Sequence, residues 1–354
     1  MTCIEMRNIS NLNSPISKGI VISKGLLSDK LLKTSGYSVS NSDKYSQVDE
    51  YIVNTYTGII SIMYSNMIHF LERGEIEKAR RAMNVELNLA YMLPDEEKMS
   101  KRHEILHEAM QGTVEFSLPM MGGIRGKFSI RKNPPHQWLD VYGEAECAIY
   151  YYLIKNPTPE NRRAFKDHGV AVIDAGEGSF DIVFFKQREL MERASSTSRK
   201  VNGSALIART LRNGENEAYK KDIPLRPTME GIKRILCNDP DELMLETPTQ
   251  SYDISDALTN AKKEIAGEMA NIFKNTFEKN TVLGGVDNLF LVVLAGRTMT
   301  DSDKSPSLGK FLADRLQDQL GIHPSICHIT HPDSNLLGAA LKLLMKMNKF
   351  ANRE

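Results

Sequence analysis

Within residues 170–185, an apolar segment, a glycine-rich loop and a second apolar segment follow one another, and this constrains the fold of the 354-residue chain most. Strands are predicted at Val170–Ile173 and Ile182–Phe185. The loop between them reads Asp174-Ala-Gly176-Glu-Gly178-Ser179-Phe-Asp181. The segment therefore predicts two adjacent strands joined by a tight turn that carries a carboxylate at each end.

Each position of this loop has a physical use in holding a phosphate. Gly176 and Gly178 permit positive φ angles and let backbone N–H groups approach a phosphate closely. Ser179 adds a hydroxyl donor, and Asp181 can brace the loop from the second strand. Asp174, at the end of the first strand, suits a hydrated Mg²⁺ ion, which prefers carboxylate oxygens and retained waters. The alternative is a plain hairpin with a glycine-rich turn.

Strands and helices alternate along the chain, which predicts the α/β class. Apolar residues at helical spacing predict helices at 47–73, 254–277, 308–320 and 336–347. The all-apolar run Leu289–Leu294 predicts a strand covered on both faces. Residues 1–45 show little strand pattern apart from a short stretch at 19–23. Residues 156–161, with two prolines, predict a linker.

Composition excludes several classes of function. Lys+Arg and Asp+Glu both number 45, so the net charge of zero predicts no direct binding of nucleic acid or of an anionic membrane. Four cysteines without a Cys-x-x-Cys pair predict no zinc site. No apolar run approaches the roughly 20 residues that span a bilayer. With no signal pattern at the N-terminus, the chain is predicted to be cytoplasmic.

The 174–181 loop resembles the second phosphate loop of the actin, DnaK-type chaperone and sugar-kinase ATPase superfamily, whose pattern is Asp-x-Gly-x-[Gly/Thr]-[Ser/Thr]-x-Asp. Three further segments follow the order of that superfamily. Gly143–Ala148 resembles the first connecting helix, Leu289–Thr298 the adenosine motif, and Asn335–Ala340 the second connecting helix, where Gly and Ala let two helices cross closely. Within the superfamily the resemblance is to the ParM/StbA plasmid-segregation actins, over roughly residues 45–350.

The resemblance implies an actin-like (ribonuclease H-like) ATPase fold of two lobes. The first lobe would comprise residues 1–165, completed by a C-terminal helix at 335–354. The second would comprise residues 166–334, with a small inserted subdomain at about 212–253.

The resemblance also implies a site for ATP or GTP with Mg²⁺. Two catalytic residues are implied: Glu144, which would orient the attacking water, and Asp174, which would hold Mg²⁺ through water. Glu146 is the alternative to Glu144. The implied nucleotide contacts are Gly176, Glu177, Gly178, Ser179, Asp181, Ala295, Gly296 and Arg297.

The chain departs from the family pattern at its N-terminal end. The family places its first phosphate loop there, as an Asp-x-Gly hairpin in an opening three-stranded sheet. Neither Asp29 nor Asp43 has Gly two positions on, and the first lobe is therefore expected to be incomplete. Either the reading frame has been shortened or the chain has diverged and lost the first loop, and both alternatives leave hydrolysis uncertain.

Two kinds of function follow from the resemblance. The first is ATP-dependent filament formation in plasmid or other DNA segregation, through self-association and a DNA-bound adaptor protein. The alternative is a degenerate, non-catalytic scaffold or filament-binding protein with an actin fold. A DnaK-type chaperone is a third reading.

Overall fold

The structure, a computed structural model, describes residues 2–11, 14, 16, 20–24, 48–93, 101–134, 136–191, 196–198, 200–218, 235–236, 243–246, 251–279, 284–300 and 306–351. The chain forms two compact units. Unit 1 comprises Met1–Gly143 and Leu343–Glu354, and unit 2 comprises Glu144–Lys342. These limits differ from the predicted lobe limits at 165/166 and 334/335, and the assignment of lobes stays a prediction. In the described part, no helix is both long and apolar enough to cross a membrane.

Unit 1 is built on a sheet in the order β2-β1-β5-β6-β3, in which β3 runs parallel to β6 and the other pairs are antiparallel. A separate parallel pair joins β4 and β7. Its strands are β1 Thr2–Asn8, β2 Ile20–Lys24, β3 Asn84–Leu87, β4 Leu89–Leu93, β5 Gly112–Leu118, β6 Ile124–Ile130 and β7 Leu139–Gly143. Its helices are α1 Val48–Glu72, α2 Ile76–Ala82 and α3 Lys101–Ala109.

The apolar face of helix α1 packs against buried residues of the unit 1 sheet. Ile52, Tyr56 and Ile60 are buried at helical spacing, in one cluster with Phe116 and Phe128. The Tyr56 hydroxyl donates a hydrogen bond of 2.8 Å to the Met110 carbonyl, and burial raises its pKa above the usual value. The helix predicted at 47–73 is thus confirmed, because its stripe finds an apolar sheet face.

The N-terminal segment contains more strand than was predicted. Residues 1–45 were expected to hold one short strand, but both β1 and β2 form there and pair as an antiparallel hairpin. The third antiparallel strand beside them is β5, in which Phe116 stands opposite Met6. Asp29 and Asp43 lie outside the described residues.

Unit 2 contains a sheet in the order β10-β9-β8-β14-β15, with β11 also paired to β9. Strands β8, β14 and β15 are parallel, whereas β9 is antiparallel to β8. Its strands are β8 Gly169–Ala175, β9 Phe180–Lys186, β10 Glu189–Leu190, β11 Ser196–Ser198, β12 Met244–Glu246, β13 Ser251–Asp253, β14 Leu289–Ala295 and β15 Cys327–Ile329. Its helices are α4 Glu144–Lys155, α5 Pro159–Asp167, α6 Gly203–Ala218, α7 Ser255–Glu278, α8 Leu308–Leu320 and α9 Ser334–Ala351, the last of which continues into unit 1.

The central strands β8 and β14 are covered on both faces, which confirms the prediction made for the all-apolar run Leu289–Leu294 of β14. On one face Val170 and Val172 share a core with α4 and α5. On the other face Ala171 and Ile173 share a core with α6, α7 and α8. Unit 2 is therefore a three-layer α/β/α arrangement, which confirms the α/β class. Most of the subdomain predicted at 212–253 lies outside the described residues.

One helix of unit 2 was missed. Residues 156–161 were expected to be a linker, yet α5 begins inside them at Pro159. The Thr158 side chain accepts a 3.2 Å hydrogen bond from the Asn161 amide and caps the helix. Proline is well suited to the first helical position, because its missing N–H would have no intrahelical partner there.

Helices α4 and α9 cross in direct backbone contact at Gly338. A Cβ atom added there would lie 2.0 Å from the Cys147 carbonyl oxygen and 2.6 Å from its carbon. The close crossing expected from the Gly and Ala residues of 335–340 is confirmed, and the backbone itself leaves no room for a side chain at this position.

We predict that Gly338→Ala lowers the free energy of unfolding by about 1–3 kcal/mol, because overpacking must push the two helix backbones apart. Gly267→Ala is the matched control, since Gly267 lies inside α7 with nothing within 4 Å of an added Cβ. That control should raise stability by roughly 0.5–1 kcal/mol through helix propensity. Urea unfolding of both variants measures the difference, and equal stabilities would contradict the close crossing.

Candidate functional site

The predicted hairpin at 170–185 is confirmed. Strands β8 and β9 pair with Asp174 opposite Asp181. The Gly176 amide donates a 2.9 Å hydrogen bond to the Ser179 carbonyl and closes the turn. The Ser179 hydroxyl donates 2.7 Å to Asp181 Oδ2, so Asp181 braces the loop from the second strand.

Of the two reasons given for the glycines of this loop, the positive φ angle was wrong, and the close approach to a phosphate stays a prediction. Neither Gly176 nor Gly178 has a positive φ angle. A Cβ at Gly178 would meet nothing within 4 Å, and one at Gly176 would meet only the Ser179 carbonyl oxygen, at 3.7 Å. Neither the backbone conformation nor the packing of the described residues therefore requires glycine here, and the space above Gly178 is open.

The start of α6 ties the loop down by its carbonyl groups. The Gly203 amide donates 2.9 Å to the Gly176 carbonyl, and the Ser204 amide donates 3.0 Å to the Glu177 carbonyl. The Asn202 side-chain amide donates 2.8 Å to the Gly178 carbonyl. Three successive carbonyl groups of the loop thus face the helix.

The backbone N–H groups of the loop, unlike its carbonyl groups, have no hydrogen-bond partner among the described residues. Among the residues that the structure describes, the backbone N–H groups of Glu177, Gly178 and Ser179 donate to no acceptor. Successive N–H groups without internal acceptors form a concave site that attracts anions. The loop is therefore built as an anion cradle, with its carbonyls satisfied on one side.

The three residues that hold the loop, Asn202, Gly203 and Ser204, were not among the predicted site residues. Asn202 also caps α6, because its side-chain oxygen accepts a 2.8 Å hydrogen bond from the Ala205 amide. Gly203 allows the close approach, since a Cβ there would lie 3.1 Å from Glu177 Cα. The Asn-Gly pair before a predicted helix was the available signal, but its partner loop lies about 25 residues earlier in the sequence.

Asp174 is held by a residue from the start of α9. Its side chain is 8 % exposed, and its Oδ2 accepts a 2.6 Å hydrogen bond from Asn335 Nδ2. Asn335 was seen only as part of a connecting helix, and its contact with Asp174 was missed. This amide fixes the orientation of the carboxylate at the end of β8.

The turn after β14 lies directly against the end of β8. Ala295 pairs in register with Asp174. Gly296 has φ +96°, and a Cβ on it would lie 2.3 Å from the Ala175 carbonyl oxygen and 2.9 Å from Asp174 Oδ1. Glycine is therefore required at 296 by both conformation and space. The side chain of Arg297 turns to Asp333, with a 3.3 Å ion pair.

The two candidate acids of α4 differ in their surroundings. Glu144 is the first residue of α4, the helix that packs on β8 and β14. Glu146 forms an ion pair with Lys342 of α9. Glu146 therefore takes part in a contact between α4 and α9.

The structure thus brings Asp174, the 176–179 loop, Ala295, Gly296 and Asn335 to one edge of the unit 2 sheet. This edge is the carboxyl end of the parallel strands β8 and β14, where open α/β sheets bind their ligands. Within the described residues no group of three or more His, Cys, Asp or Glu side chains could hold a metal ion. Among the candidate residues gathered at this edge, the carboxylate that could contact a metal ion is that of Asp174, at the end of β8.

The resolved pKa shifts of unit 2 nearest this sheet have a different origin. Burial raises the pKa of the Cys327 thiol to about 12 and lowers the pKa of His328, both on β15. Since burial alone causes both shifts, both groups stay neutral at pH 7, and neither marks a charged catalytic partner.

No protein-family model matches the chain, and no curated protein matches it by sequence. Solved structures do match. The actin-like protein Alp7A is 14% identical with TM-score 0.63, over 99% of this chain and 84% of that one. The fold is actin-like.

Two further solved structures agree with the actin-like fold. The psk41 ParM protein is 12% identical with TM-score 0.56, over 99% of this chain and 85% of its own. Ta0583, an archaeal actin homolog solved in complex with ADP, is 14% identical with TM-score 0.53, over 76% of this chain and 73% of its own. At these identities the likeness establishes the fold alone.

We predict that Asn202 supports the actin-like unit in two separable ways. Asn202→Ala should lower the free energy of unfolding by about 1–2 kcal/mol, because it removes both the helix cap and the hydrogen bond to the loop. Asn202→Ser keeps a capping oxygen and loses the donor to the Gly178 carbonyl, so its loss should be smaller. Thermal and urea unfolding of both variants tests this, and equal losses would contradict the double role.

Proposed function

We propose that this chain is an actin-like nucleotide-binding protein of the ParM/StbA type. It binds ATP or GTP with Mg²⁺ at the carboxyl edge of the unit 2 sheet, and assembles in the cytoplasm into nucleotide-dependent filaments that act in DNA segregation through a DNA-bound adaptor protein. The observation that carries the proposal is the 176–179 loop, whose carbonyls are tied to α6 while three successive amides remain available.

A phosphate group suits this loop for electrostatic reasons. The backbone N–H groups of Glu177, Gly178 and Ser179 carry partial positive charge, although no side-chain cation is present. A phosphate oxygen can accept hydrogen bonds directly from these N–H groups. Glycine at 176 and 178 removes side chains from a surface where the protein itself would tolerate them. The absence of side chains at positions 176 and 178 is therefore explained if another molecule approaches the backbone there. Ta0583, which shares this fold, was solved with ADP.

Asp174 suits a hydrated Mg²⁺ ion beside the phosphates. Magnesium binds proteins through one or two carboxylates and keeps several of its waters. In this arrangement Asp174, oriented by Asn335, would contact those waters, and Mg²⁺ would neutralise phosphate charge. Gly296 and its neighbours Ala295 and Arg297 would border the adenosine.

Glu144 is the proposed residue that orients the attacking water. A carboxylate can accept a hydrogen bond from a water aimed at a γ-phosphate, which positions it for in-line attack.

A second candidate function is a non-catalytic scaffold with the actin fold. The observation that favours it is the end of β1, which carries Asn8 instead of a carboxylate. The Asn8 side chain is buried, accepts from the Ser10 and Asn11 amides at 3.2 and 3.0 Å, and donates 3.1 Å to the Gln111 carbonyl. It therefore serves the fold of unit 1. A scaffold should keep its partner binding after Asp174→Ala.

Nucleotide binding should depend on Asp174 only when Mg²⁺ is present. We predict that Asp174→Asn weakens ATP binding about tenfold or more in Mg²⁺ and has little effect in EDTA, because the lost charge acts through the ion. The control is Asp287→Asn, an exposed carboxylate at the opposite end of β14, roughly 20 Å away at about 3.3 Å per residue. Calorimetric titration measures both, and a wild-type chain that binds no ATP at millimolar concentration would refute the proposal.

Substitution of Glu144 should affect ATP hydrolysis without affecting filament assembly. With ATP and Mg²⁺, the wild-type chain should scatter light and sediment as filaments. Glu144→Gln should still assemble, while phosphate release falls by roughly 10²-fold, because only the orientation of the water is lost. If ATP neither promotes assembly nor is hydrolysed, while a partner still binds the Asp174→Ala variant, the scaffold function is supported instead.

A further inference from the structure

Unit 1 contains a groove unrelated to the candidate nucleotide site. It has a volume of about 1160 Å³ and lies between helix α2, the end of α1 and the strands β1, β5 and β6. We refer to it as the α2–β6 groove. This volume exceeds the roughly 300–1,000 Å³ that is typical of small-molecule sites.

One wall of the groove is a strand edge beside which the described residues place no further strand. Strand β6 pairs with β5 along its whole length, from Ile124 to Ile130, but pairs with β3 only from Lys127 onward. The Lys127 amide donates 2.9 Å to the Met83 carbonyl, so its backbone points to the β3 side. Because backbone groups alternate in direction along a strand, Arg125 directs its own N–H and C=O to that side, where the described residues place no strand.

The floor of the groove is apolar. Met67, Met83 and Phe116 line it from within the core, and Leu71 and Ile76 stand at its lip with 46% and 64% of their surface exposed. An unpaired strand edge is a template for pairing with another chain, and exposed apolar side chains beside it mark a site of interaction.

The charges that line the groove are mainly positive. Four basic and two acidic side chains line it, which gives a local net charge of +2 on a chain whose overall net charge is zero. One of the acids, Glu5, already accepts a 2.7 Å hydrogen bond from the Ser117 hydroxyl. The basic residues are Arg7, Arg80, Arg125 and Lys127, and the acidic ones are Glu5 and Glu115.

We propose that the α2–β6 groove binds an extended, acidic segment of a partner protein, which adds to β6 as a further strand. The exposed backbone of Arg125 forms main-chain hydrogen bonds, alternate apolar side chains of the segment enter the floor, and its carboxylates face Arg125 and Lys127. Main-chain pairing supplies affinity in this mode of recognition, and side-chain pockets supply specificity. An extended segment fits better than a helix, whose own backbone hydrogen bonds would leave the strand edge unpaired.

The test uses short fluorescein-labelled peptides and fluorescence anisotropy at low salt. The probe alternates Leu with Glu, and a matched peptide alternates Leu with Lys. A third peptide carries N-methyl groups on alternate amides of the Leu/Glu sequence, which removes the donors for strand pairing. We expect the Leu/Glu peptide to bind, the Leu/Lys peptide to bind at least about tenfold more weakly, and N-methylation to cost about tenfold.

Two variants of the protein locate the binding. Arg125→Glu should weaken binding of the Leu/Glu peptide about tenfold or more, because it reverses a charge on the groove. Arg131→Glu is the control, since Arg131 is exposed just beyond β6 and does not line the groove. It should bind as the wild type does. Thermal melts of both variants confirm that the fold is kept.

Several results would overturn the proposal. Absence of binding by the Leu/Glu peptide at millimolar concentration is one, and binding unaffected by N-methylation or by Arg125→Glu is another. Tighter binding of a helix-constrained acidic peptide would assign the groove to a helix. Self-association that Arg125→Glu removes, without any peptide binding, would assign the groove to a second copy of the chain.

Discussion

The parallel pairing of β14 with β8 is the interaction on which the candidate site of unit 2 depends. It sets Ala295 beside Asp174 in register, so that the next residue, Gly296, packs against the Ala175 carbonyl with no space for a side chain. The Thr298 hydroxyl then donates 2.8 Å to that same carbonyl and holds the turn in place. A slip of one residue in this register would turn every side chain of β14 to the opposite face. Burial on both faces makes such a slip costly, and the site geometry is fixed by core packing.

The second determinant is the direction in which the 176–179 loop presents its backbone. A loop of four residues has both donors and acceptors, and its chemistry depends on which of them the protein satisfies. Here Asn202, Gly203 and Ser204 satisfy carbonyl groups, which leaves amides for an external acceptor. The N-terminus of α6 thus contributes indirectly. Its first N–H groups, which have no acceptor within the helix, are used to orient the loop, and the loop amides are presented in their place.

Local pattern was sufficient to predict the elements, but it did not predict how they meet. The 170–185 hairpin, the long helix α7 and the strand β14 could be read from runs and periodicities, because each buries a continuous apolar face. Strand β1 was missed although Ile4 and Met6 alternate with exposed residues, since one of its two partners, β5, lies more than a hundred residues away. For the same reason Asn335 was not connected with Asp174. The positive φ angles expected at Gly176 and Gly178 show a further limit of sequence-based prediction. A glycine in the sequence can indicate either a positive φ angle or space for a ligand, and the sequence alone does not distinguish the two.

Binding and hydrolysis place different demands on such a site. Unit 2 supplies amide donors and an oriented carboxylate, which are the groups that phosphate and Mg²⁺ need for binding. Transfer of a phosphoryl group also requires that the attacking water and the developing charge be held in line, so it depends on more positioned groups than binding does. In unit 1, the end of β1 presents Asn8, whose hydrogen bonds are to its own loop and to Gln111. The described residues of unit 2 therefore supply more of the groups that the proposed nucleotide binding requires than of those that the proposed hydrolysis requires.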